Sequence, residues 1–383
     1  MKFIIDDKIP YIKGALEPFG EVVYLPGSKT TPEVVKDADA IVTRTRTICN
    51  EDLLKDSSVK FIATATIGYD HIDTDYCKQA GIEWTNAPGC NSKSVEQYVL
   101  SALFVLAEKK GFGLKGKTIG IVGVGQVGSK VAKVCELLGM NVLLNDPPRE
   151  RAEGPEQFVS FQQIISKSDI ITFHVPLTMH GEDATFHMAD TLFFNALERQ
   201  PIVLNSCRGE VVDTFAAETA IQRGQISGLV LDCWEREPNI DRNLLQLVDL
   251  ATPHIAGYSK DGKANGTTMS VQAISRFFKL GIDDWQPQGI DLPKQTILHL
   301  NGLNRTEEEI IREAILFTYD IRQDDKRLRQ SPDQFEKLRG DYPVRREFPV
   351  FTIQYENIAK ETLEKLKKLG FRIKQSIMVI DSH

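Results

Sequence analysis

The sequence predicts an α/β protein: two doubly wound, parallel-sheet domains followed by a small α+β domain. Three observations carry this prediction. Short apolar runs separated by helix-length connections recur between Lys2 and Thr85 and again between Thr118 and His254, which is the spacing of parallel βαβ units. One run, Thr118 to Val122, opens directly into Gly123-Val-Gly-Gln-Val-Gly128, followed by an apolar segment from Val127 to Leu138 at helical spacing. Finally, composition shifts to Gly, Pro and Asp at Gly281 to Pro293, which marks a linker. A chain of 383 residues also exceeds one ordinary core.

In chain order, Lys2–Asp6 reads as a strand, Tyr11–Phe19 as a helix and Glu21–Leu25 as a second strand. Ala40–Thr43, Phe61–Thr66 and Ile82–Thr85 continue the series. Arg44, Thr45, Arg46, Thr66 and Gly68 fall just past strand ends, where open parallel sheets bind ligands, so this domain is expected to hold the substrate. The next helix carries an apolar face from Val95 to Leu106, and Ser94 and Gln97 have the spacing of a capping box.

The glycine motif gives the second domain its character. Gly123 permits a tight turn, Gly125 leaves no Cβ against a pyrophosphate, and Gly128 lets the helix approach the sheet with its amides facing the phosphates. Asn141–Leu144 is the following strand, with Asp146 just beyond it. A carboxylate there accepts from an adenosine ribose and repels a 2′-phosphate, so NAD is expected over NADP. This makes the domain Rossmann-like. Ile170–His174, Ile202–Ser206, Gly228–Asp232 and Leu250–His254 supply its remaining strands, and Val175–Thr178 a loop suited to the nicotinamide side. Gly257–Leu280 reads as a helix returning to the first domain. Beyond the linker come a capped helix from Thr306 to Tyr319, charged text from Arg322 to Arg346, a strand at Phe351–Gln354, a helix at Ile358–Leu369 and a strand at Phe371–Val379. The expected boundaries are 1–98 with 257–281 for substrate, 99–256 for nucleotide, and 282–383 for a module that dimerises.

Composition narrows the function classes. The apolar fraction is 42% and the formal charge −7, which argues against a nucleic-acid surface but not against a local anion pocket. No apolar run spans a bilayer and the first residues lack a secretory pattern, so a cytoplasmic protein is expected. The six cysteines show no C-x-x-C spacing, as in reduced chains, and no metal-ligand cluster is visible.

Hydride transfer to NAD needs a base for the hydroxyl proton, a group orienting that base, and a cation for the substrate. His254, Glu237 and Arg208 stand after strands in positions suited to these roles. Imidazole titrates near physiological pH, a carboxylate favours its protonated form, and a guanidinium grips a carboxylate with two parallel bonds. Glu235 rivals Glu237, and His71, His180, His187, His299 and His383 are expected to lack paired acids in a plausible pocket.

Taken together, Gly123–Gly128, His174-Val-Pro-Leu-Thr178, Asn205-Ser-Cys-Arg-Gly-Glu210, Asp232-Cys-Trp-Glu-Arg-Glu-Pro238 and Thr252-Pro-His-Ile-Ala-Gly257 resemble the D-isomer-specific 2-hydroxyacid dehydrogenases over roughly residues 1–280. The tail, with Tyr319–Asp325, Phe335–Pro343 and Arg345–Phe348, resembles one branch of that family. The resemblance implies Arg208, Glu237 and His254 as catalytic residues. It implies cofactor contacts at Gly123, Gly125, Gln126, Val127, Gly128, Asp146, His174, Val175, Pro176, Cys207, Asp232 and Gly257. Substrate contacts are implied at Thr45, Thr66 and Tyr258, and Thr45 keeps a hydroxyl where serine is common. Arg44, Arg46 and Gly68 are at hand, and Arg345 or Arg346 is expected to reach in from a partner subunit. A small phosphorylated 2-hydroxy acid and a homodimer follow; the alternatives are phosphoglycerate or another acid as substrate, or an NAD-sensing interaction protein.

Overall fold

The computed structural model describes residues 1–375, and the chain forms two compact units: Met1–Asn91 with Tyr258–Asp291, and Ser92–Gly257 with Leu292 onward. In the first unit, β1 (Lys2–Asp6), β2 (Glu21–Leu25), β3 (Ala40–Thr43), β4 (Phe61–Thr64) and β5 (Glu83–Thr85) form a parallel sheet in the order β2-β1-β3-β4-β5. Alternate residues feed opposite faces. Phe3, Ile5, Ala40, Val42, Phe61 and Ala63 pack on one side with Val271 and Ile274 of the helix Lys260–Phe278, while Ile4, Ile41 and Ile62 pack with Cys77 and Leu54 on the other. Both faces are dry, which is why these strands read as continuous apolar runs.

One early element departs from expectation. Tyr11–Phe19 is not an α-helix but a run of turns ending in a short 3₁₀ segment, Glu17–Phe19. Tyr11 at φ 62° and Gly14 at φ 87° break the helical path, and Pro18 adds no amide to it.

The second unit holds β6 (Thr118–Val122), β7 (Asn141–Asn145), β8 (Ile170–Phe173), β9 (Ile202–Asn205), β10 (Gly228–Leu231) and β11 (Leu250–Ala251), ordered β11-β10-β9-β8-β6-β7 and parallel throughout. The order reverses direction beside β6, the topological switch point where such sheets take a dinucleotide. Its long helix runs Ser92–Lys110. It starts two residues before the expected capping box, so Ser94 lies inside the helix and its hydroxyl donates to the Ala256 carbonyl (3.0 Å).

Downstream, β12 (Ile297–Asn301), β13 (Thr352–Glu356) and β14 (Arg372–Gln375) make a three-stranded parallel sheet. The rest of the expected last strand, 376–379, lies outside the described residues. The helix Glu307–Thr318 carries the predicted capping box, with Thr306 and Glu309 each bonded to the other's backbone. Leu328 and Phe335 insert into the core around β8–β10, each burial worth about 1.5–3 kcal/mol. Among the described residues no helix is long and apolar enough to cross a membrane.

Candidate active site

Everything the nucleotide side needs is built around the exit of β6. Gly123 has φ 87°, and a Cβ there would strike the His174 carbonyl group at 2.7 Å. A Cβ on Gly128 would come within 2.0 Å of the Gly123 carbonyl oxygen, so the helix Gly128–Leu137 lies on the turn at backbone contact. Gly125 is the opposite case: nothing lies within 4 Å of where its Cβ would be. One glycine makes the turn, one seats the helix, and the middle one leaves open space beneath which amides and the helix N-terminus are ready for a pyrophosphate. Gln126 is exposed and Val127 half-buried beside that space.

Asp146 is oriented for its role by this loop. Its carboxylate accepts from the Val124 amide (2.8 Å) and caps the next helix through the Arg149 amide (3.1 Å). Arg149, a cation of the kind that pairs with a 2′-phosphate, is already committed. Its guanidinium is bound twice by Glu153, at 2.7 and 2.6 Å, and donates to the Val124 carbonyl. These residues fit NAD.

His174, at the end of β8, meets the Thr172 hydroxyl at 3.0 Å, and burial pushes its pKa down to about 3. It is therefore a neutral packing residue of the loop that continues through Val175 and Pro176. Cys207 is held by the Asn205 side chain through both its amide and its thiol (3.1 Å each), and burial pushes that thiol up to about 11.

The candidate catalytic residues lie past the ends of β9, β10 and β11. His254 Nδ1 and Glu237 Oε2 are 2.7 Å apart, and the other carboxylate oxygen of Glu237 accepts from the Trp234 amide at 2.9 Å. An ionised carboxylate only accepts, so Nδ1 carries the proton and Nε2 presents its lone pair. The His254 side chain keeps 32% of its surface open. Its backbone sits in the left-handed region at φ 54°, and its amide donates to the Asp232 carbonyl (2.8 Å). Such strain persists where neighbours over-determine it. Here Asp232 does so: its buried carboxylate accepts from Thr252 Oγ1 (2.6 Å) and from the amides of Ile255 (2.7 Å) and Ala256 (2.9 Å). Burial raises the Asp232 pKa, with His254 and these donors opposing it. Tyr98 extends the chain by donating to Thr252 Oγ1 at 2.8 Å; neither Tyr98 nor Thr252 was assigned a role from sequence.

Arg208 follows β9 in extended conformation, its carbonyl held by Asn205 Nδ2 (2.8 Å) and one guanidinium donor on the Cys207 carbonyl (2.8 Å). A Cβ on Gly209 would overlap the Trp234 carbonyl at 2.0 Å, so the Arg208 loop and the Glu237 loop touch backbone to backbone. Cys233 reports the same proximity: its Sγ lies within 4.8 Å of the ligating atoms of Glu237 and His254, and its ionisation feels the charge of Arg208. The sequence showed no metal-ligand spacing, and this trio is the one such group among the described residues. Burial drives the Cys233 thiol well up, away from the thiolate that a metal requires, while the dyad's hydrogen bond accounts for the other two. Gly257 is half-buried at the end of this unit.

Glu235 is separated from Glu237 by Arg236 at φ 61° and faces another histidine. His187 Nε2 lies 2.7 Å from Glu235 Oε1 and its Nδ1 lies 3.2 Å from Asp213 Oδ2. The expectation that His187 lacks paired acids is thus corrected; its partners are distant in sequence.

In the first unit, Thr45 and Arg46 are exposed after β3, and Arg44 donates to the Lys8 carbonyl (3.4 Å). Thr66 Oγ1 bonds the Gly68 carbonyl and the Thr64 hydroxyl, each at 2.8 Å, and Asn86 Nδ2 holds the same loop at the Ile67 carbonyl (2.7 Å). Tyr258 lies under the Lys263 ammonium, 4.5 Å from the ring centroid. Arg346 is also buried. Arg345 is only 4% exposed; it donates to Gln97 (2.8 Å), to the Ser94 and Ile255 carbonyls (2.5 and 3.3 Å), and stacks on Tyr319 (3.8 Å). These contacts tie the C-terminal segment to the helix Ser92–Lys110.

Comparison with known proteins identifies the family. Residues 93–256 match the D-isomer specific 2-hydroxyacid dehydrogenase, NAD binding domain, and residues 292–370 match a domain of unknown function (DUF3410). The chain is 52% identical over 356 residues to an erythronate-4-phosphate dehydrogenase of Bacteroides fragilis, covering 92% of this chain and 99% of the relative. It is 40% identical over 380 residues to that of Yersinia enterocolitica, covering 97% and 99%. Among solved structures, D-lactate dehydrogenase from Aquifex aeolicus complexed with NAD and lactic acid is 27% identical, with a TM-score of 0.59, covering 73% of this chain and 96% of that one.

Proposed function

The chain belongs to the D-isomer-specific 2-hydroxyacid dehydrogenase family, and from that premise, with the names of its similar relatives in support, we propose that 4-phospho-D-erythronate is its substrate. It is an NAD-dependent D-2-hydroxyacid dehydrogenase; the proposal concerns which acid it oxidises. The product is 2-oxo-3-hydroxy-4-phosphobutanoate, a step of pyridoxal-phosphate biosynthesis. The observation that carries the catalytic assignment is the 2.7 Å contact between His254 Nδ1 and Glu237 Oε2, which leaves Nε2 free to accept.

NAD, when bound, supplies the hydride acceptor. The chain's own residues do the rest. His254 Nε2 takes the C2 hydroxyl proton as the C2–H bond breaks, and Glu237 pairs with the resulting imidazolium. The Arg208 fork holds the carboxylate. Asp232, Thr252 and Tyr98 hold the backbone from which His254 projects. Arg44, Thr45, Arg46, Thr66, Gly68 and Tyr258 are the groups proposed for the rest of the substrate: Gly68 offers an amide to the carboxylate, the others hydroxyls and cations to the phosphate. Among these relatives the acid's far end is the distinguishing feature, so selectivity is the test. Purified protein with NAD is expected to oxidise 4-phospho-D-erythronate with a kcat/KM at least about tenfold above D-lactate, which lacks the phosphate and so one charged contact, and above 3-phosphoglycerate, whose phosphate stands one carbon closer to the reacting centre and misses the groups set for it. Preference for 3-phosphoglycerate defeats the assignment.

We further propose that the tail serves homodimerisation and that the first unit is the substrate domain. The tail's sheet β12–β14 and the helix Lys360–Leu369 carry no chemistry of their own. Sedimentation is expected to give twice the chain mass, and a monomer at micromolar concentration would exclude this role.

A further inference from the structure

Glu237 and Arg208 stand on separate loops, and the reaction requires both to be held to a fraction of an ångström. Gly209 brings the loops into backbone contact, but contact alone does not stop them sliding. A second histidine bridges them. The His187 amide donates to the Glu210 carbonyl at 2.7 Å, two residues after Arg208. Its ring meets Glu235 at 2.7 Å, two residues before Glu237. We propose that His187 is a positioning residue for the proposed dehydrogenase reaction, clamping the loops that carry Arg208 and Glu237 in their relative register.

Several independent features support the clamp. The ring has an acid on each side, Glu235 and Asp213 (3.2 Å). Both acids are anchored to the N-terminus of one helix, Thr214–Gln222: Glu235 Oε2 accepts from the Thr214 amide (2.9 Å) and Asp213 Oδ1 from the Ala216 amide (2.8 Å). The ring thereby ties two loops to a regular element rather than to each other alone. Phe186 stacks on it at 4.0 Å with planes 15° apart, which fixes its tilt. His187 adopts φ 50°, a conformation that a residue with a Cβ keeps only where its surroundings impose it. Burial works to raise the Glu235 pKa, yet the bonds from Thr214 and His187 outweigh it and hold the acid below its usual range. The ring contacts neither Glu237 nor His254 directly, so its effect passes through the loops.

The inference rests on the proposed dehydrogenase reading, and the experiment separates the two. The wild-type enzyme is first assayed with NAD and 4-phospho-D-erythronate. If it fails there, the reading of the substrate fails, and the comparison moves to whichever 2-hydroxy acid the wild type oxidises. His187→Ala is expected to lower kcat about tenfold or more, because a displacement near an ångström costs up to ~100-fold. NAD affinity and thermal midpoint should stay close to wild type, since the Gly123–Gly128 loop is untouched. Added imidazole, entering a site whose side chain is partly exposed, should recover part of the loss. A wild-type kcat overturns the clamp, as does a fall in NAD affinity and thermal midpoint in step with kcat, which marks a merely structural residue. Should His187→Ala not fold, Glu235→Gln replaces it: it keeps an oxygen for the Thr214 amide but removes the charge that faces the ring. A several-fold lower kcat at unchanged NAD affinity is expected, and an unchanged kcat overturns the proposal.

Discussion

His254→Ala is expected to lower kcat roughly 100- to 10,000-fold, the range associated with losing a positioned general base, while NAD still binds. The split follows from the structure. The residues that fit the cofactor, Gly123, Gly125, Gly128 and Asp146, surround the exit of β6 and make none of their hydrogen bonds to the imidazole. The imidazole's own partner is Glu237, fixed from behind by the Trp234 amide. Glu237→Gln provides the graded comparison: its single amide oxygen can still accept from Nδ1 but then gives up the Trp234 amide, and no negative charge offsets the imidazolium that forms. The loss should be smaller than for His254→Ala and greatest in the oxidation direction, where the imidazole must become charged. NADH fluorescence titration checks the binding half, and stopped-flow oxidation the chemical half. Undiminished turnover by His254→Ala would remove the base from the mechanism, and a parallel loss of NAD binding would show the dyad to be part of the cofactor seat.

How much of this could be read in the sequence depends on how local each cause is. The strands of both large sheets were legible because residues such as Ile4 and Phe3, or Val203 and Leu204, are buried on opposite faces, so each strand appears as an uninterrupted apolar run. The glycine motif was legible because each glycine answers a backbone demand within a few residues. Other elements of the tail, among them β12 and the helices Ile321–Gln330 and Phe335–Gly340, have no such signature. β12 alternates exposed and buried positions, with only Leu298 and Leu300 inside, beside a linker rich in Pro and Gly. The helix Ile321–Gln330 buries just Ile321, Asp324 and Leu328, and Asp324 is paid for by hydroxyls of Tyr319 and Tyr342 (3.0 and 2.7 Å); a one-dimensional reading sees only charged text. In the site, choosing between Glu235 and Glu237 was beyond pattern alone. The left-handed Arg236 sends the two acids to different histidines, and the other half of the His187 cluster comes from Asp213 and from the carbonyl of Glu210, segments that only tertiary structure brings together. Arg345 is a related case: its partners within the chain, Gln97, Ser94 and Tyr319, come from other segments of the unit and leave no local pattern.

Arg208→Lys tests the remaining member of the proposed trio, and it does so without changing formal charge. A lysine ammonium is a point charge on a flexible stem, whereas the guanidinium is a flat fork that matches a carboxylate with two parallel bonds. Losing one bond to a charged group costs about 1.5–3 kcal/mol, or roughly 10- to 150-fold in kcat/KM. The upper part of that range is expected here because the arginine's aim is set by the backbone: Asn205 holds its carbonyl and the loop ends in Gly209, pressed against the Trp234 peptide. A lysine inherits that backbone direction but not the fixed pair of parallel donors. If the carboxylate is gripped equally before and during hydride loss, the penalty falls on KM. If the grip also sets the C2–H bond relative to His254, kcat falls as well. Since Gly209, next to Arg208, is pressed against the backbone of the loop that carries Glu237, the partner of His254, the second outcome is the one the structure favours. A kcat/KM within threefold of wild type would mean that some other cation holds the carboxylate, and with it the assignment of Arg208 as the clamp would be lost.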